Sequence, residues 1–345
     1  MASQYDVAQI TNVSLMTVSR VVNGDLRVKK ETREKVQRAI EELNYHPNAA
    51  ARALNSQKTM TIGLILPKIG HVLSEPYFSQ LIYYIEESIS PYNYNLLIST
   101  AEHQNSKDLS LLYKQRKVDG LIIIGSEIKD ERLNVLSENC IPTVLIHAHS
   151  GLPCINSVDV DNFEAIECFI DYLFSLGHRR IGFITGDLTV LNAYHRLSGY
   201  KTSLKNRGIS VEEKLLYNGN WTSSSGYDAF LYFNKLRHLP TAVIASNDHM
   251  AIGFLKAAFE HDVNIPVDMS LVGIDDIEIS SFTTPKLTTM RQPMESIGAM
   301  AVDTLIRSIN NNISDEIHKI FKAEIVIRDS CGPCPSSKEE IKQLS

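Results

Sequence analysis

The most specific chemical signal in this 345-residue chain is a run of recognition-type side chains near its start. Ser14, Leu15, Met16, Thr17, Ser19, Arg20 and Asn23 stand close together, and Tyr45 follows. A helix beginning after Ser14 puts Leu15, Met16 and Arg20 on an exposed face and leaves Val18 and Val21 for the inner side. An arginine so placed can donate two hydrogen bonds to one guanine, worth about 1–3 kcal/mol of discrimination between bases. Leu15 and Met16 cannot read polar base edges, but they suit thymine methyl groups. Thr17, Ser19, Asn23 and Tyr45 offer hydroxyls and an amide to phosphate oxygens, contacts that fix register without reading sequence. This is the chemistry of reading a double helix, not of breaking a bond. No phosphate-cradling glycine loop, nucleophile elbow or HExxH stretch occurs. Cys331-Gly332-Pro333-Cys334 has the spacing of a redox or metal pair, yet it stands in a polar C-terminal stretch without further ligands. Neither an enzyme nor a metal site nor a cofactor is expected.

The elements that must hold these residues are short helices. Tyr5–Ile10 is a brief amphipathic helix, and Asn12-Val13-Ser14 breaks it, with Ser14 placed to cap a helix running through Val22. Asn23-Gly24 ends that second helix. A third runs from about Lys30 to Leu43, with Val36, Ile40 and Leu43 along one stripe. Two short helices joined by a tight turn form a helix-turn-helix signature. Pro47 stops what precedes it, and Asn48–Leu54 has high helix propensity in a stretch too short to persist alone.

From Met60 the pattern changes to apolar strands alternating with amphipathic helices. Strands are expected at 61–66, 96–100, 120–124, 143–146, 181–185, 242–246, 271–274 and 324–327. Such alternation predicts parallel sheets covered on both faces. Ile62-Gly63-Leu64-Ile65 is echoed by Ile181-Gly182-Phe183-Ile184, so the pattern restarts and two similar α/β units are expected, from about 60 and from about 161.

Charge separates the same parts. The chain carries a net −6 with a pI near 6.0. Residues 1–58 nevertheless hold nine bases against six acids, so a +3 head sits on a −9 body. No apolar run approaches the roughly 18–20 residues of a membrane span. The start MASQYDVAQI lacks a basic stretch followed by an apolar one, so no secretory signal is expected. Five scattered cysteines suggest no disulfide framework. A cytoplasmic setting follows as the expectation.

The head resembles that of the lactose/galactose-repressor (LacI/GalR) family. The resemblance rests on Tyr5-Asp6-Val7-Ala8, Val13-Ser14-Leu15-Met16-Thr17-Val18-Ser19-Arg20-Val21-Val22-Asn23, Thr32-Arg33-Glu34-Lys35-Val36, Leu43-Asn44-Tyr45, Pro47-Asn48 and Ala51-Arg52-Ala53-Leu54. It implies that Tyr5, Thr32 and Asn48 also meet DNA. Residues 48–56 would be a hinge helix whose Leu54 wedges into a minor-groove step of a near-palindromic operator bound by a homodimer. Lys29 departs from the pattern, standing where a serine often caps the third helix.

The body resembles the family's ligand domain through Asp119-Gly120-Leu121-Ile122, Leu176–Ile181, Pro240-Thr241-Ala242, Ser246–Ala251, Val272–Asp276 and Pro285–Thr289. The fold class implied is α/β, a helix-turn-helix head and hinge followed by a core like that of periplasmic binding proteins, two doubly wound parallel-sheet lobes. The implied boundaries are 1–46 for the head, 47–58 for the hinge, 60–160 with 291–318 for the first lobe, 161–288 with 319–330 for the second, and a flexible tail from 331 to 345.

The resemblance further implies a cleft for a small sugar or sugar phosphate. Arg196 would be its charged clamp, Trp221, the only tryptophan, its aromatic face, and Asn247 and Asp275 its polar groups at strand ends. Tyr77, Phe78, Asn192, His147 and Met294 complete the candidates. The loop from Lys68 to Glu75 is longer than the common pattern, and Glu75 replaces a usual asparagine; the longer loop together with the tryptophan would suit a disaccharide or galactoside. An alternative function is a carbon catabolite regulator whose co-repressor is a phosphorylated carrier protein. The helix meant to receive that carrier holds acids at Glu295 and Asp303, which would repel a phosphoserine.

Overall fold

Ser3 starts the first helix by a reciprocal cap: its hydroxyl accepts from the Asp6 N–H, and the Asp6 carboxylate accepts from the Ser3 N–H at 2.7 Å. The molecule is described from a computed structural model, over residues 2–22, 25, 27–45, 58–67, 72–100, 108–311 and 316–335. It divides into two units, Met1–Met60 and Thr61–Ser345.

In the first unit, helix α1 (Gln4–Thr11) ends at Asn12, which takes the left-handed conformation. Helix α2 (Leu15–Val22) begins as expected, with the Ser14 hydroxyl accepting from the Thr17 N–H at 3.1 Å. Helix α3 (Lys30–Glu42) starts at Lys29 without a side-chain cap. The three pack around Val7, Ala8, Val18, Val21, Val36 and Ala39. Ile40 and Leu43 lie half-buried beside that core, so Ala39 takes a central place that the stripe of larger residues does not reveal. Asn23, Asn48, Leu54 and the expected hinge from 47 to 57 lie outside the described residues.

The second unit holds twelve strands among the described residues: β1 (Thr61–Leu66), β2 (Asn95–Thr100), β3 (Gly120–Ile124), β4 (Thr143–Ile146), β5 (Ile155–Val160), β6 (Ile181–Thr185), β7 (Leu216–Asn218), β8 (Ala242–Ala245), β9 (Ser270–Asp275), β10 (Thr288–Arg291), β11 (His318–Phe321) and β12 (Glu324–Val326). They form two six-stranded sheets, ordered β11-β5-β4-β3-β1-β2 and β12-β10-β9-β8-β6-β7. Every pairing is parallel except β10 with β12. The repeat seen in sequence is a repeat of place, since β1 and β6 stand at the same position in the two sheets. Helices α4 (Pro76–Ile89), α5 (Ser110–Lys114), α6 (Arg132–Glu138), α7 (Asn162–Ser175), α8 (Leu191–Asn206), α9 (Ser223–Phe233), α10 (Asp248–Glu260) and α11 (Met294–Ile309) complete the unit. The central strands are largely apolar because helices cover both faces; β3, β6 and β8 are buried at every residue.

Three details correct the expected boundaries. Strand β10 runs to Arg291 within the second sheet, and β11 runs to Phe321 within the first, so the chain changes lobes at 292–293 and 322–323. Strands β5, β7, β10 and β11 were not anticipated, since polar residues interrupt them and β7 and β11 lie near or at sheet edges. Residues 331–335 are not a free tail. The Cys334 N–H donates to the Leu176 carbonyl at 2.8 Å, His178 Nε2 lies 3.0 Å from the Gly332 carbonyl, and Cys334 is buried. Cys140 and Cys154 are joined by a disulfide, the only one among the described residues. No helix among those residues is long and apolar enough to cross a membrane.

Candidate functional site

In the head, the expected division of α2 holds. Val18 and Val21 are buried, whereas Leu15 and Met16 are 48% and 64% exposed, and Arg20 stands on the surface beside them. Two adjacent apolar side chains are thus kept in water at the start of this helix. The Ser14 and Thr17 hydroxyls lie 2.9 Å apart at the start of α2. Tyr5 is exposed, while Thr17, Ser19 and Thr32 are half-buried. Tyr45 packs its ring against the small core. The carboxylate of Asp25 accepts the Arg27 guanidinium at 2.7 and 2.9 Å, which holds it far below the ordinary carboxylate range, and its carbonyl accepts from Arg33 at 2.8 Å. These bonds tie the connection after α2 to α3.

The second site is built at the C-terminal ends of strands, where open α/β sheets bind ligands. Arg196 projects from α8 and is only 3% exposed. Its Nε donates to Asn162 Oδ1 at 2.7 Å and one Nη to the Ser246 carbonyl just beyond β8. Its guanidinium carbon lies 5.8 Å from the centre of the Trp221 ring. Asn192, one helical turn earlier on α8, turns its carbonyl onto the neighbouring Ala193 N–H.

Trp221 is held in place by its neighbours rather than by apolar packing alone. Its backbone adopts φ 72°, and its carbonyl accepts from Asn247 Nδ2 at 2.9 Å. The Asn247 carbonyl oxygen meanwhile caps α10 by accepting from the Met250 N–H. Both ends of this amide are therefore employed in positioning. The indole crosses the face of Gly186, where a Cβ would stand 2.1 Å from two ring carbons. Only glycine leaves room for it.

Asp275, the last residue of β9, has φ 119°, a strained backbone of the kind found at ligand sites. It accepts from Gln292 Nε2 at 2.7 Å. Burial raises its pKa to about 6, against the opposing pull of Arg196. Asp248, at the start of α10, is fully buried and accepts from Thr289 Oγ1 at 2.5 Å, Ser280 Oγ at 2.7 Å and the Ile277 N–H at 3.0 Å. Burial, with the charge of Asp275, pushes it up to about 8 despite those donors. Burial lowers the Arg196 pKa, and Asp275 is the first of several charges opposing that shift.

The other lobe supplies a hydrogen-bonded chain. The Tyr77 hydroxyl meets His147 Nε2, and His147 Nδ1 lies 3.3 Å from Asp159 Oδ1. His147 follows β4 with φ 59°, Asp159 lies near the end of β5, and Tyr77 opens α4. Burial and the charge of Asp275 raise the Tyr77 phenol well above its ordinary value. Phe78 stacks edge-on against Tyr77 at 5.3 Å and packs on the lobe's core. The lobes also touch: Glu75 lies 2.8 Å from His249, and the Ile128 N–H donates to the Thr189 carbonyl at 3.0 Å.

The structure thus gathers Arg196, Trp221, Asn247 and Asp275 around one region, which Tyr77 and His147 approach from the first lobe. Met294 is different: it is buried in the first lobe's core and borders, with Tyr84, Asp276 and Gln292, a cavity of about 410 Å³ that also reaches Asp275. Sequence reasoning missed Asp159, Asn162, Gly186, Asp248 and Gln292. Asp248 lay within a quoted motif, but its burial is a property of the fold alone.

Residues 4–48 match the family model for bacterial regulatory proteins of the lacI family, and residues 170–331 match a periplasmic binding protein-like domain. The chain is 35% identical over 314 residues to catabolite control protein A of Priestia megaterium, covering 90% of this chain and 93% of that protein. It is 34% identical over 318 residues to the ribose operon repressor of Escherichia coli K12, covering 90% and 93%. Among solved structures, a lac repressor dimer bound to operator and the anti-inducer ONPF superimposes with a TM-score of 0.84 at 28% identity, over 96% of this chain and 99% of that one. With a helix-turn-helix head, two parallel-sheet lobes and relatives of this closeness, the chain belongs to the LacI family of DNA-binding bacterial transcriptional regulators.

Proposed function

We propose that this regulator is a cytoplasmic homodimeric repressor of a sugar-utilisation operon, and that a small sugar or sugar phosphate in the cleft between its lobes sets its affinity for a near-palindromic operator. The observation that carries the reading is Arg196, a buried guanidinium with an indole beside it and the carboxyl of Asp275 close by. Vicinal hydroxyls need planar, multiply bonding partners, and the apolar face of a pyranose needs an aromatic one. Arg196 lies amid the carboxyls of Asp159, Asp248 and Asp275, which favours a ligand rich in hydroxyl donors. Tyr77 and His147 would close on it from the first lobe. The exposed face of Leu15, Met16 and Arg20 would read base edges, with Ser14, Thr17, Ser19 and Tyr45 on phosphates. Asn23 would add its amide to the phosphate contacts, and Tyr5, Thr32, Asn48 and Leu54 join the proposed DNA contacts from sequence resemblance.

Ligand and operator are then linked reciprocally: a ligand that weakens operator binding must itself bind the operator complex less well by the same factor. A thermal-shift screen of mono- and disaccharides and their phosphates tests the cleft. A ligand at 100 times its Kd stabilises the fold by about 2.7 kcal/mol. A shift that disappears in Arg196→Ala supports the assignment, and one that survives there contradicts it.

A second reading has several relatives behind it, the catabolite control proteins A of Priestia megaterium, Staphylococcus xylosus and Staphylococcus epidermidis. In that reading a phosphorylated carrier protein would dock on α11. Glu295 is exposed at the start of that helix, and Asp303 pairs with Arg307 at 3.6 Å. An acid facing outward opposes a phosphoserine, so the cleft ligand is the better-supported effector. Retention of the phosphorylated carrier on the immobilised regulator would reverse that order.

A further inference from the structure

We propose that Cys140 and Cys154 form a reversible thiol–disulfide site, exchanging with low-molecular-weight thiols, that fastens the segment carrying His147 to the floor of the first lobe. The inference uses the cytoplasmic setting proposed above but not the identity of the cleft ligand. Cys140 lies in the turn between α6 and β4, and Cys154 immediately precedes β5. Strands β4 and β5 are parallel neighbours with Thr143 opposite Ile155, so both cysteines stand at the same end of the sheet. Their Cα atoms are 5.3 Å apart, within the roughly 4.4–6.8 Å that a disulfide spans. Both backbones are left-handed, with φ 45° and 62°, a conformation residues other than glycine seldom adopt.

The remaining cysteines lack this combination of proximity and access. Cys334 is buried, and burial pushes the Cys331 thiol up to about 11. Cys168 is exposed, but burial of its thiol and the acids Glu164, Asp171 and Glu167 raise its pKa, which disfavours the reactive thiolate. Cys140 is exposed and Cys154 half-buried, so a small thiol can reach the bond. In a reducing compartment a disulfide of this kind is usually transient and sensing rather than structural, and exposed bonds are the labile ones.

The exchange balances with a low-molecular-weight disulfide such as oxidised glutathione. One cysteine thiolate attacks a glutathione sulfur, forming a mixed disulfide and releasing one glutathione thiolate. The second cysteine thiolate attacks the protein sulfur of that mixed disulfide and releases the other. The two protons lost by the cysteines end on two glutathione thiols, the protein pair is oxidised, and the glutathione disulfide is reduced. Excess glutathione runs the steps backward.

The consequence follows from the chain between them. The segment 147–154 begins at His147, whose ring meets Tyr77 in the cleft, and ends at Cys154. With the disulfide cut, two hydrogen bonds still hold its far end: the Cys154 N–H to Glu316 Oε1 at 3.1 Å and the Ser137 hydroxyl to the Pro153 carbonyl at 2.7 Å. The reduced form therefore keeps the fold, with the His147 N–H still on the Val158 carbonyl at 3.1 Å, but loosens the segment that runs from His147 to Cys154.

The test uses the full chain equilibrated over a range of oxidised to reduced glutathione, trapped with iodoacetamide and mapped by peptide mass. The expected result is a Cys140–Cys154 linked peptide that rises with the oxidised fraction and falls again when reduced glutathione is restored, while Cys331 and Cys334 stay unlinked. Cysteines 140 and 154 that alkylate fully at every ratio overturn the proposal, as does a link that native protein never releases. Hydrogen exchange on the same samples should show faster exchange across 147–154 in the reduced form and in Cys140→Ser. Equal exchange in both redox forms would overturn the coupling to His147. None of these readouts involves a sugar, so their failure is separate from a failure of the cleft assignment.

Discussion

Gly186→Ala is the smallest change that should disable the proposed cleft without removing any polar group. The added Cβ would stand 2.1 Å from Trp221 Cη2 and Cζ2 and 2.5 Å from Cε2. Carbon atoms settle at about 3.5–4.0 Å, so the indole must retreat by more than about 1 Å. It cannot take its backbone along easily, because the Trp221 carbonyl is pinned by Asn247 and the residue already has φ 72°. The ring must therefore leave its present position across Gly186. Overpacking of this kind costs about 1–3 kcal/mol of stability. Losing the aromatic face and its contact with the guanidinium should weaken a sugar by about 1–2 kcal/mol, roughly tenfold in Kd. The assay is direct because Trp221 is the only tryptophan: its emission should move to longer wavelength in the variant, and sugar titrations followed by that emission should shift to higher concentration. Head-mediated DNA binding should be unchanged. Unaltered emission together with unaltered sugar affinity would refute both the placement of the ring and its role.

Other outcomes follow from the same geometry. Asp248 has a folded pKa of about 8 against an ordinary 3.8, so its contribution to stability is present below the unfolded value and is lost as pH rises through 8. Asp275, at about 6, adds in the same direction. Asp248→Asn should remove much of that decline, on the order of a few kcal/mol between pH 4 and 8, read by calorimetry as a flatter dependence of Tm on pH; an unchanged slope would contradict the burial argument. Gly253→Ala places a Cβ 1.8 Å from the Ser223 carbonyl, against backbone that cannot rotate away, so α9 and α10 must part and urea denaturation should register a loss of about 3 kcal/mol or more. Arg20→Ala should weaken binding to the selected operator by about 1–3 kcal/mol while leaving binding to random duplex nearly intact. Equal losses on both duplexes would place Arg20 on phosphate instead.

How far the chain could be read in advance depended on how local each determinant is. The head was legible because its signals are short-range: Ser14 caps the helix it precedes, and Val18 and Val21 face inward at helical spacing. The sheets were legible where apolar runs are unbroken, as at Gly120–Ile124, and not where buried polar residues interrupt them, as at Ile155–Val160. The cleft divides in the same way. Arg196 and Trp221 stood out by type and family register. Gly186 matters only because an indole from another segment lies across it, and Gln292 only because the chain crosses back between lobes beside Asp275. Asn247 was expected to serve a ligand, yet both ends of its amide bind protein groups. The packing of residues 331–335 depends on His178 and Ser270, far away in sequence, which no inspection of a polar C-terminal stretch reveals.

The central claim is that occupation of the cleft controls the grip of the head on DNA. The most direct measurement is fluorescence anisotropy of the full-length protein on a duplex selected from random sequence, titrated with ribose, galactose, lactose and cellobiose and their phosphates, for the wild type and Arg196→Ala. Removing Arg196 strips the buried carboxyls of their cation, so the variant should be less stable by about 3–5 kcal/mol, and it is measured where circular dichroism shows it folded. The account predicts that at least one sugar changes operator affinity in the wild type, and that the variant binds the operator as tightly as the wild type but no longer responds. A variant that responds at the same sugar concentration would contradict it.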